Sequence, residues 1–240
     1  MDISNITRQA RKLLKLKYCG AVIVAAGTAS RMGGIDKVMA ELDGEPMVVR
    51  TVRAFQNCDA VREIVVVTRP DLIVPIMSLC AGFGKVTAVV AGGSSRQASV
   101  SLGLNALSEK VKLAAIHDGA RPLVSWQVID RTIRAANTYG AAAPAIPVKD
   151  TIKVVQGGVV INTPERKQLY AVQTPQVFDF DLLRGALKKA AEDEAEVTDD
   201  CSAVERLGMR VKIVEGDERN LKITTPMDLA VAKMLLEDVQ

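Results

Sequence analysis

Arg31 and Lys37 stand just beyond the run Ala21-Val22-Ile23-Val24-Ala25-Ala26-Gly27-Thr28-Ala29-Ser30, so two cations close a small-residue loop that follows an apolar, β-branched segment. A buried parallel strand reads as such an unbroken apolar run. The small residues after it, Gly27 among them, let backbone N–H groups approach phosphate oxygens without side-chain obstruction. Arg31 and Lys37 then supply positive charge where a phosphoryl centre gains negative charge on reaction. The chemistry this suits is nucleoside triphosphate binding and transfer. An ordinary strand-to-helix turn containing Arg and Lys would look the same locally, so the rest of the chain must separate the two.

Two commoner phosphate loops are excluded. A dinucleotide fingerprint needs three glycines at fixed offsets and an acidic end to the second strand, whereas Thr28 follows Gly27 and Glu63-Ile64-Val65-Val66-Val67-Thr68 ends in Arg69-Pro70. A P-loop needs Gly-Lys-Ser/Thr opening a helix, and no such tripeptide occurs. A loop whose lysine lies beyond its glycine-containing segment resembles the nucleotidyltransferases that activate sugars and polyols.

A second acid-bearing loop, His117-Asp118-Gly119-Ala120-Arg121-Pro122, follows the apolar run Leu113–Ile116. Ligands of open α/β sheets bind outside the carboxyl ends of the strands. Asp118 there suits Mg²⁺, which keeps much of its hydration and uses few carboxylates, or equally an ion pair with Arg121 or a turn cap. His117 is the single histidine and has no partner in sequence, so it reads as a structural hydrogen-bonding group. A third loop, Ala91-Gly92-Gly93-Ser94-Ser95-Arg96-Gln97-Ala98-Ser99, follows Thr87–Val90. Its glycines allow backbone groups to face a flat base, and Ser94 and Ser99 offer hydroxyls to a base edge or ribose. The same serines suit a helix cap, and both uses are compatible.

These loops need a parallel sheet to hold them. Strand patterns at Ala21–Ala25, Ile64–Thr68, Thr87–Ala91, Leu113–His117, Ala141–Pro144 and Val211–Glu215 alternate with helical patterns, which predicts a mostly parallel sheet covered on both faces. Ser125 is placed to cap Trp126–Tyr139 and Gly140 to end it, Asp179 to cap Phe180–Ala191, and Thr225-Pro226-Met227-Asp228 to open the last helix. One segment breaks the alternation. Asp150–Val155 and Val159–Thr163 flank Gln156-Gly157-Gly158 with no helix between, the pattern of a hairpin that projects from the sheet. Its Ile152, Val154, Val160 and Ile161 need cover, for which a second subunit is the natural source and a hairpin folded flat on its own domain the alternative.

The 240 residues accommodate one large α/β domain, and a net charge of +3 is too small to indicate nucleic acid. Every long apolar run is broken by Gly, Pro or charge before the roughly 20 residues that span a bilayer, so no membrane role is expected. Cys19, Cys58, Cys80 and Cys201 lack metal or redox spacing and suit reduced thiols in a cytoplasmic compartment. Residues 1–19 form a basic extension in which Arg8, Arg11, Lys12, Lys15 and Lys17 alternate with Ile6, Ala10, Leu13 and Leu14 at helical spacing. It lacks the apolar core and cleavage site of a secretory signal.

Taken in order, several motifs resemble the 2-C-methyl-D-erythritol 4-phosphate cytidylyltransferase family of the non-mevalonate isoprenoid pathway. They are Ala25-Ala26-Gly27 with Arg31-Met32 and Lys37, Gly92-Gly93 with Arg96 and Ser99, His117–Pro122, Pro147–Lys153, Gln173-Thr174-Pro175-Gln176, Thr198-Asp199-Asp200, and Glu215-Gly216 with Asn220–Thr224. The resemblance covers the chain from Gly20 to the last helix. It implies a nucleotidyltransferase-like (Rossmann-like) α/β domain over 20–240, with helices on both faces of a mostly parallel sheet. A projecting β-hairpin arm at about 148–170 would hook a partner into a homodimer. Arg31 and Lys37 would bind the triphosphate and stabilise the transition state. Ala25, Ala26, Gly93, Ser94 and Ser99 would form the cytidine pocket, and Arg166 and Lys222 would position the acceptor phosphate. Asp118, Arg121 and Thr151 would build the acceptor and metal region, partly from the partner subunit, and Thr174 belongs to the substrate-binding set. The substrates so implied are CTP and a polyol phosphate, with Mg²⁺ or another divalent cation. Two departures stand out: Asp36 precedes Lys37 where many members have proline, and Ser94 stands where an acid is often found. Ribitol 5-phosphate cytidylyltransferases share the fold and many of these motifs, and a non-catalytic nucleotide-binding regulator is the rival from outside enzymology.

Overall fold

The computed structural model of the protein describes residues 16–27 and 38–237. Its strands in chain order are β1 (Cys19–Ala25), β2 (Glu41–Leu42), β3 (Glu45–Pro46), β4 (Val61–Thr68), β5 (Val86–Ala91), β6 (Leu113–Asp118), β7 (Ala141–Pro147), β8 (Val154–Gln156), β9 (Val159–Asn162), β10 (Tyr170–Val172), β11 (Gln176–Asp179) and β12 (Lys212–Glu215). The helices are α1 (Met47–Gln56), α2 (Ile73–Leu79), α3 (Arg96–Asn105), α4 (Trp126–Tyr139), α5 (Phe180–Glu192), α6 (Asp200–Glu205) and α7 (Pro226–Glu237).

The main sheet runs β10-β7-β11-β6-β1-β4-β5, with β12 also paired to β7. β1 lies at its heart, parallel to β4 and β6, and β5 extends the parallel set from β4. Alternate residues of β1 enter opposite cores. Ala21, Ile23 and Ala25 meet Val48, Val52 and Phe55 of α1 and Val128, Ile129 and Ile133 of α4, while Val22 meets Val100 and Leu104 of α3. Leu183 and Leu187 of α5 and Val204 of α6 complete the second layer. Because both faces are covered, the strand is apolar throughout, as the unbroken run predicts.

Two strands of the main sheet, like the two-residue strands β2 and β3 outside it, escaped the sequence pattern. β11 inserts antiparallel between β6 and β7, and β10 pairs antiparallel with β7. Each is only three or four residues long, too short for period-2 alternation to register.

Local signals held in most places. Ser125 Oγ accepts from Val128 N at 3.4 Å, and Gly140 ends α4 at φ +82°. At the start of α7, Asp228 Oδ2 accepts from Thr225 N at 2.8 Å while Asp228 N donates back to Thr225 Oγ1 at 3.3 Å. Asp179 sits at the N-terminus of α5 but does not cap it through its side chain, because its carboxylate turns instead to Lys17 Nζ at 3.0 Å. Leu16 packs against the first core, so the fold engages the chain ahead of Gly20. Residues 1–15 of the basic extension lie outside the described residues.

The hairpin forms its own two-stranded sheet from β8 and β9, with Gly157 and Gly158 at φ +57° and +80° as a tight Gly-Gly turn requires. Ile152, Val154, Val155, Val159, Val160 and Ile161 are all exposed on it. Among the described residues no helix is long and apolar enough to cross a membrane.

Candidate active site

A cavity of about 450 Å³ opens at the carboxyl ends of the central strands. Part of the lining is small side chains: Ala25 at the end of β1 with Ala26 and Gly27 beyond it, and Gly93, Ser94 and Ser99 after β5. Arg96, Asp118 and Lys222 bring charge to the same lining. Eight residues singled out from sequence therefore meet around one space. Arg31 and Lys37 lie outside the described residues.

The glycine loop is set by close approach. A Cβ on Gly92 would stand 2.4 Å from Ala26 Cβ and 2.9 Å from Ser99 Oγ, and one on Gly93 would stand 2.5 Å from Ala98 Cβ. Ser99 Oγ accepts from Gly93 N at 3.0 Å and donates to Ser95 O at 2.9 Å. Ser95 in turn caps α3 by accepting from Ala98 N at 3.0 Å. Cap and cavity wall thus share one turn, as the sequence allowed.

Asp118 is the centre of the charged wall. Lys222 Nζ reaches its Oδ2 at 2.7 Å, and Arg96 reaches Oδ1 at 3.4 Å. Arg96 also binds Asp200 Oδ2 at 2.8 Å. Burial pushes the Asp118 carboxyl up, but Arg96 and Lys222 together outweigh it and hold the pKa at about 2. Asp118 is therefore ionised at neutral pH. For Arg96, burial opposes the charge, and Asp200 and Asp118 more than offset it, raising its pKa. Complete burial raises Asp200 despite the guanidinium beside it.

Behind this wall, His117 is fully buried and stacks at a tilt on Phe55, with ring centroids 4.9 Å apart. Its Nε2 faces Arg121 O at 3.2 Å, and a carbonyl only accepts, so Nε2 carries the proton. Nδ1 is then the acceptor for the Thr174 hydroxyl at 2.9 Å, and Thr174 Oγ1 accepts from Asp118 N at 3.2 Å. Burial depresses the imidazole pKa to about 3, so it is neutral. This is the structural role expected of the single histidine. Thr174 does not line the cavity; its hydroxyl is spent on His117 and Asp118. Arg121, expected in the acceptor region, donates from Nη1 to Asn220 O at 2.6 Å. Burial lowers its pKa, countered by the charge of Asp118. It braces the loop that carries Lys222.

Arg166 and Thr151 lie on the exposed arm, away from the cavity of their own chain, with Arg166 Nη1 donating to Lys149 O at 3.0 Å. Among the described residues no three His, Cys, Asp or Glu side chains cluster as a metal site. Mg²⁺ can take most ligands from water and substrate phosphates and needs only one or two carboxylates. Asp118, ionised at the cavity wall, suits that need.

Arg96, Asp200, Gln173 and Asn220 stand in motifs shared with the family, but no local pattern assigns them a role. Arg96 and Asp200 are 104 residues apart, and nothing local in either segment indicates the other.

Comparison with known proteins bears on the family and the fold. The family model for 2-C-methyl-D-erythritol 4-phosphate cytidylyltransferase matches residues 19–238. The cytidylyltransferase of that name from Caldanaerobacter subterraneus subsp. tengcongensis is 43% identical over 221 residues, 90% of this chain and 97% of that one. Its counterpart from Desulforamulus reducens is 45% identical over 222 residues, covering 90% and 95%. Among solved structures, 4-diphosphocytidyl-2C-methyl-D-erythritol synthase from Anaerococcus prevotii aligns with a TM-score of 0.84 at 33% identity, over 92% of this chain and 96% of that one. The Thermus thermophilus cytidylyltransferase gives 0.75 at 34% identity, over 90% and 98%. Matched over nearly its whole length by the family model and by relatives more than 40% identical, the chain belongs to the 2-C-methyl-D-erythritol 4-phosphate cytidylyltransferase family.

Proposed function

We propose that this chain transfers the cytidylyl group of CTP to 2-C-methyl-D-erythritol 4-phosphate, forming 4-diphosphocytidyl-2-C-methyl-D-erythritol and pyrophosphate. The supporting observation is the single cavity lined both by small residues and by Asp118 paired to Lys222. An acceptor phosphate oxygen attacks the α-phosphorus, a new P–O bond forms, and the bond to the β-phosphate oxygen breaks. That phosphate is already a competent nucleophile at neutral pH, so the protein must orient and neutralise, with no general base. This accounts for a site of cations and amides and for a neutral, inward-facing His117.

Ala25, Ala26, Gly27, Gly93, Ser94 and Ser99 hold the nucleotide, and Arg31 and Lys37 hold the triphosphate and the charge that develops on it. Lys222 and Arg166 position the acceptor phosphate, with Arg121 and Thr151 completing that region. In a homodimer, the exposed apolar arm of one subunit brings Arg166 and Thr151 to the cavity of the other. Asp118 would hold Mg²⁺ or another divalent cation, which when bound neutralises phosphate charge. Four buried cysteines, all free, support a cytoplasmic location.

Pyrophosphate release from CTP with an acceptor panel tests this. Turnover is expected with methylerythritol phosphate and far less with ribitol 5-phosphate; the reverse preference would replace the acceptor, and no turnover with either would favour a regulatory protein.

A further inference from the structure

Lys222 has to meet Asp118 from a segment, 216–225, that has no regular secondary structure between β12 and α7. Segments of this kind are ordinarily the movable parts of a fold. Here two buried side-chain amides hold it. Gln173 Nε2 donates to Asp217 O at 2.8 Å, and its Oε1 accepts from Asp217 N at 3.2 Å, so the amide pairs with that residue as a neighbouring strand would. Asn220 Nδ2 donates to Thr174 O at 2.9 Å and to Gln173 Oε1 at 3.3 Å. Gln173 is 4% exposed and Asn220 is 0% exposed. From the other side, Arg121 binds Asn220 O, and Ile223 N donates to Ala120 O at 2.9 Å.

The next residue, Thr174, holds Asp118 N and His117 Nδ1 with its hydroxyl. One dipeptide therefore touches both halves of the charged pair. The side chain of Gln173 fixes the loop of Lys222, and the side chain of Thr174 fixes the backbone of Asp118. This dipeptide also follows β10, where the chain returns from the projecting arm.

We infer that Gln173 is a positioning residue of the transfer reaction, acting through Lys222 by locking the 216–225 loop in register with Asp118. The inference rests on the acceptor-phosphate role proposed above for Lys222. A pair of hydrogen bonds across a buried amide fixes the position of the loop, and a displacement on the order of 1 Å at a reacting group can cost about 100-fold.

The test is a double-mutant cycle between Gln173→Met and Lys222→Ala, read as kcat/KM for methylerythritol phosphate and as calorimetric affinity for CTP. Gln173→Met alone should lower acceptor efficiency about tenfold or more, with CTP affinity within about threefold of wild type. In the Lys222→Ala background the same substitution should have almost no further effect. An equal loss with and without Lys222 would overturn the inference, since Gln173 would then act on general stability, and so would wild-type efficiency in Gln173→Met. If Lys222→Ala alone spares the acceptor, the acceptor role of Lys222 fails first and the inference with it; a defect in that single variant without coupling rejects only the role of Gln173. Gln173→Asn, one methylene too short for Asp217, replaces the methionine variant if that one does not fold.

Discussion

Arg96 binds Asp200 at 2.8 Å but stands 3.4 Å from Asp118, so the fully buried carboxylate of α6 holds the guanidinium that flanks the exposed edge of the site. A charge buried without its partner is far costlier than the pair. Asp200→Ala should therefore destabilise the fold by about 3 kcal/mol, with Asp200→Asn costing less because it keeps a hydrogen-bonding oxygen. Urea denaturation of both variants checks this, and near-equal stability of Asp200→Ala and wild type would show the pair to be unimportant.

His117 gives a pH prediction that a one-histidine chain makes clean. Its folded pKa of about 3 lies below the ordinary histidine value, so the unfolded chain takes up a proton first. The stability this neutral imidazole confers is complete above the ordinary value and is lost as pH falls from there toward the folded pKa. The imidazole resonances should keep neutral shifts at about pH 5, where a free histidine is mostly charged. A titration midpoint near the free value would show that the ring is solvated.

Gly92→Ala puts a methyl 2.4 Å from Ala26 Cβ and 2.9 Å from Ser99 Oγ, neither of which is the end of a flexible chain. The two loops that line this side of the cavity must part. We expect CTP affinity to fall about tenfold or more, with a melting temperature lowered by a few degrees. Calorimetric titration and a thermal melt measure both, and an unchanged CTP affinity would take this loop out of the nucleotide site.

Arg166 and Lys222 test the division between substrates. Arg166→Ala and Lys222→Ala should each lower kcat/KM for methylerythritol phosphate by about two orders of magnitude while CTP affinity stays within a few-fold. A loss of CTP affinity as large as the loss of acceptor efficiency would assign these cations to the triphosphate.

The arm predicts its own assembly. Ile152, Val154, Val155, Val159, Val160 and Ile161 are exposed on a hairpin that is not hydrogen-bonded to the main sheet. Replacing Thr151–Asn162 with a short linker should convert a dimer into monomers or aggregates. Sedimentation that finds the intact chain monomeric at about micromolar concentration would show that the arm does not hold a dimer.

Much of this protein was legible in the sequence because the signals are local. The β-branched run of β1, the Ser125 cap, the Gly140 stop and the Gly157-Gly158 turn each depend on residues within a few positions of one another. The loops at the carboxyl edge could be placed for the same reason: a strand pattern says where its loop emerges, and the sheet rule says which edge it faces. What the sequence left open was the set of partners. Asp118 was equally suited to a metal, to Arg121 or to a turn cap; the fold gave it Arg96 and Lys222 as its ion-pair partners, while the guanidinium of Arg121 turned to Asn220. β11 was missed because a strand of four residues has no visible period, yet its insertion beside β6 brings Thr174 under Asp118. Spacing along the chain records turns and faces; ion pairs and buried amide contacts between distant segments arise only when the sheet order brings those segments together.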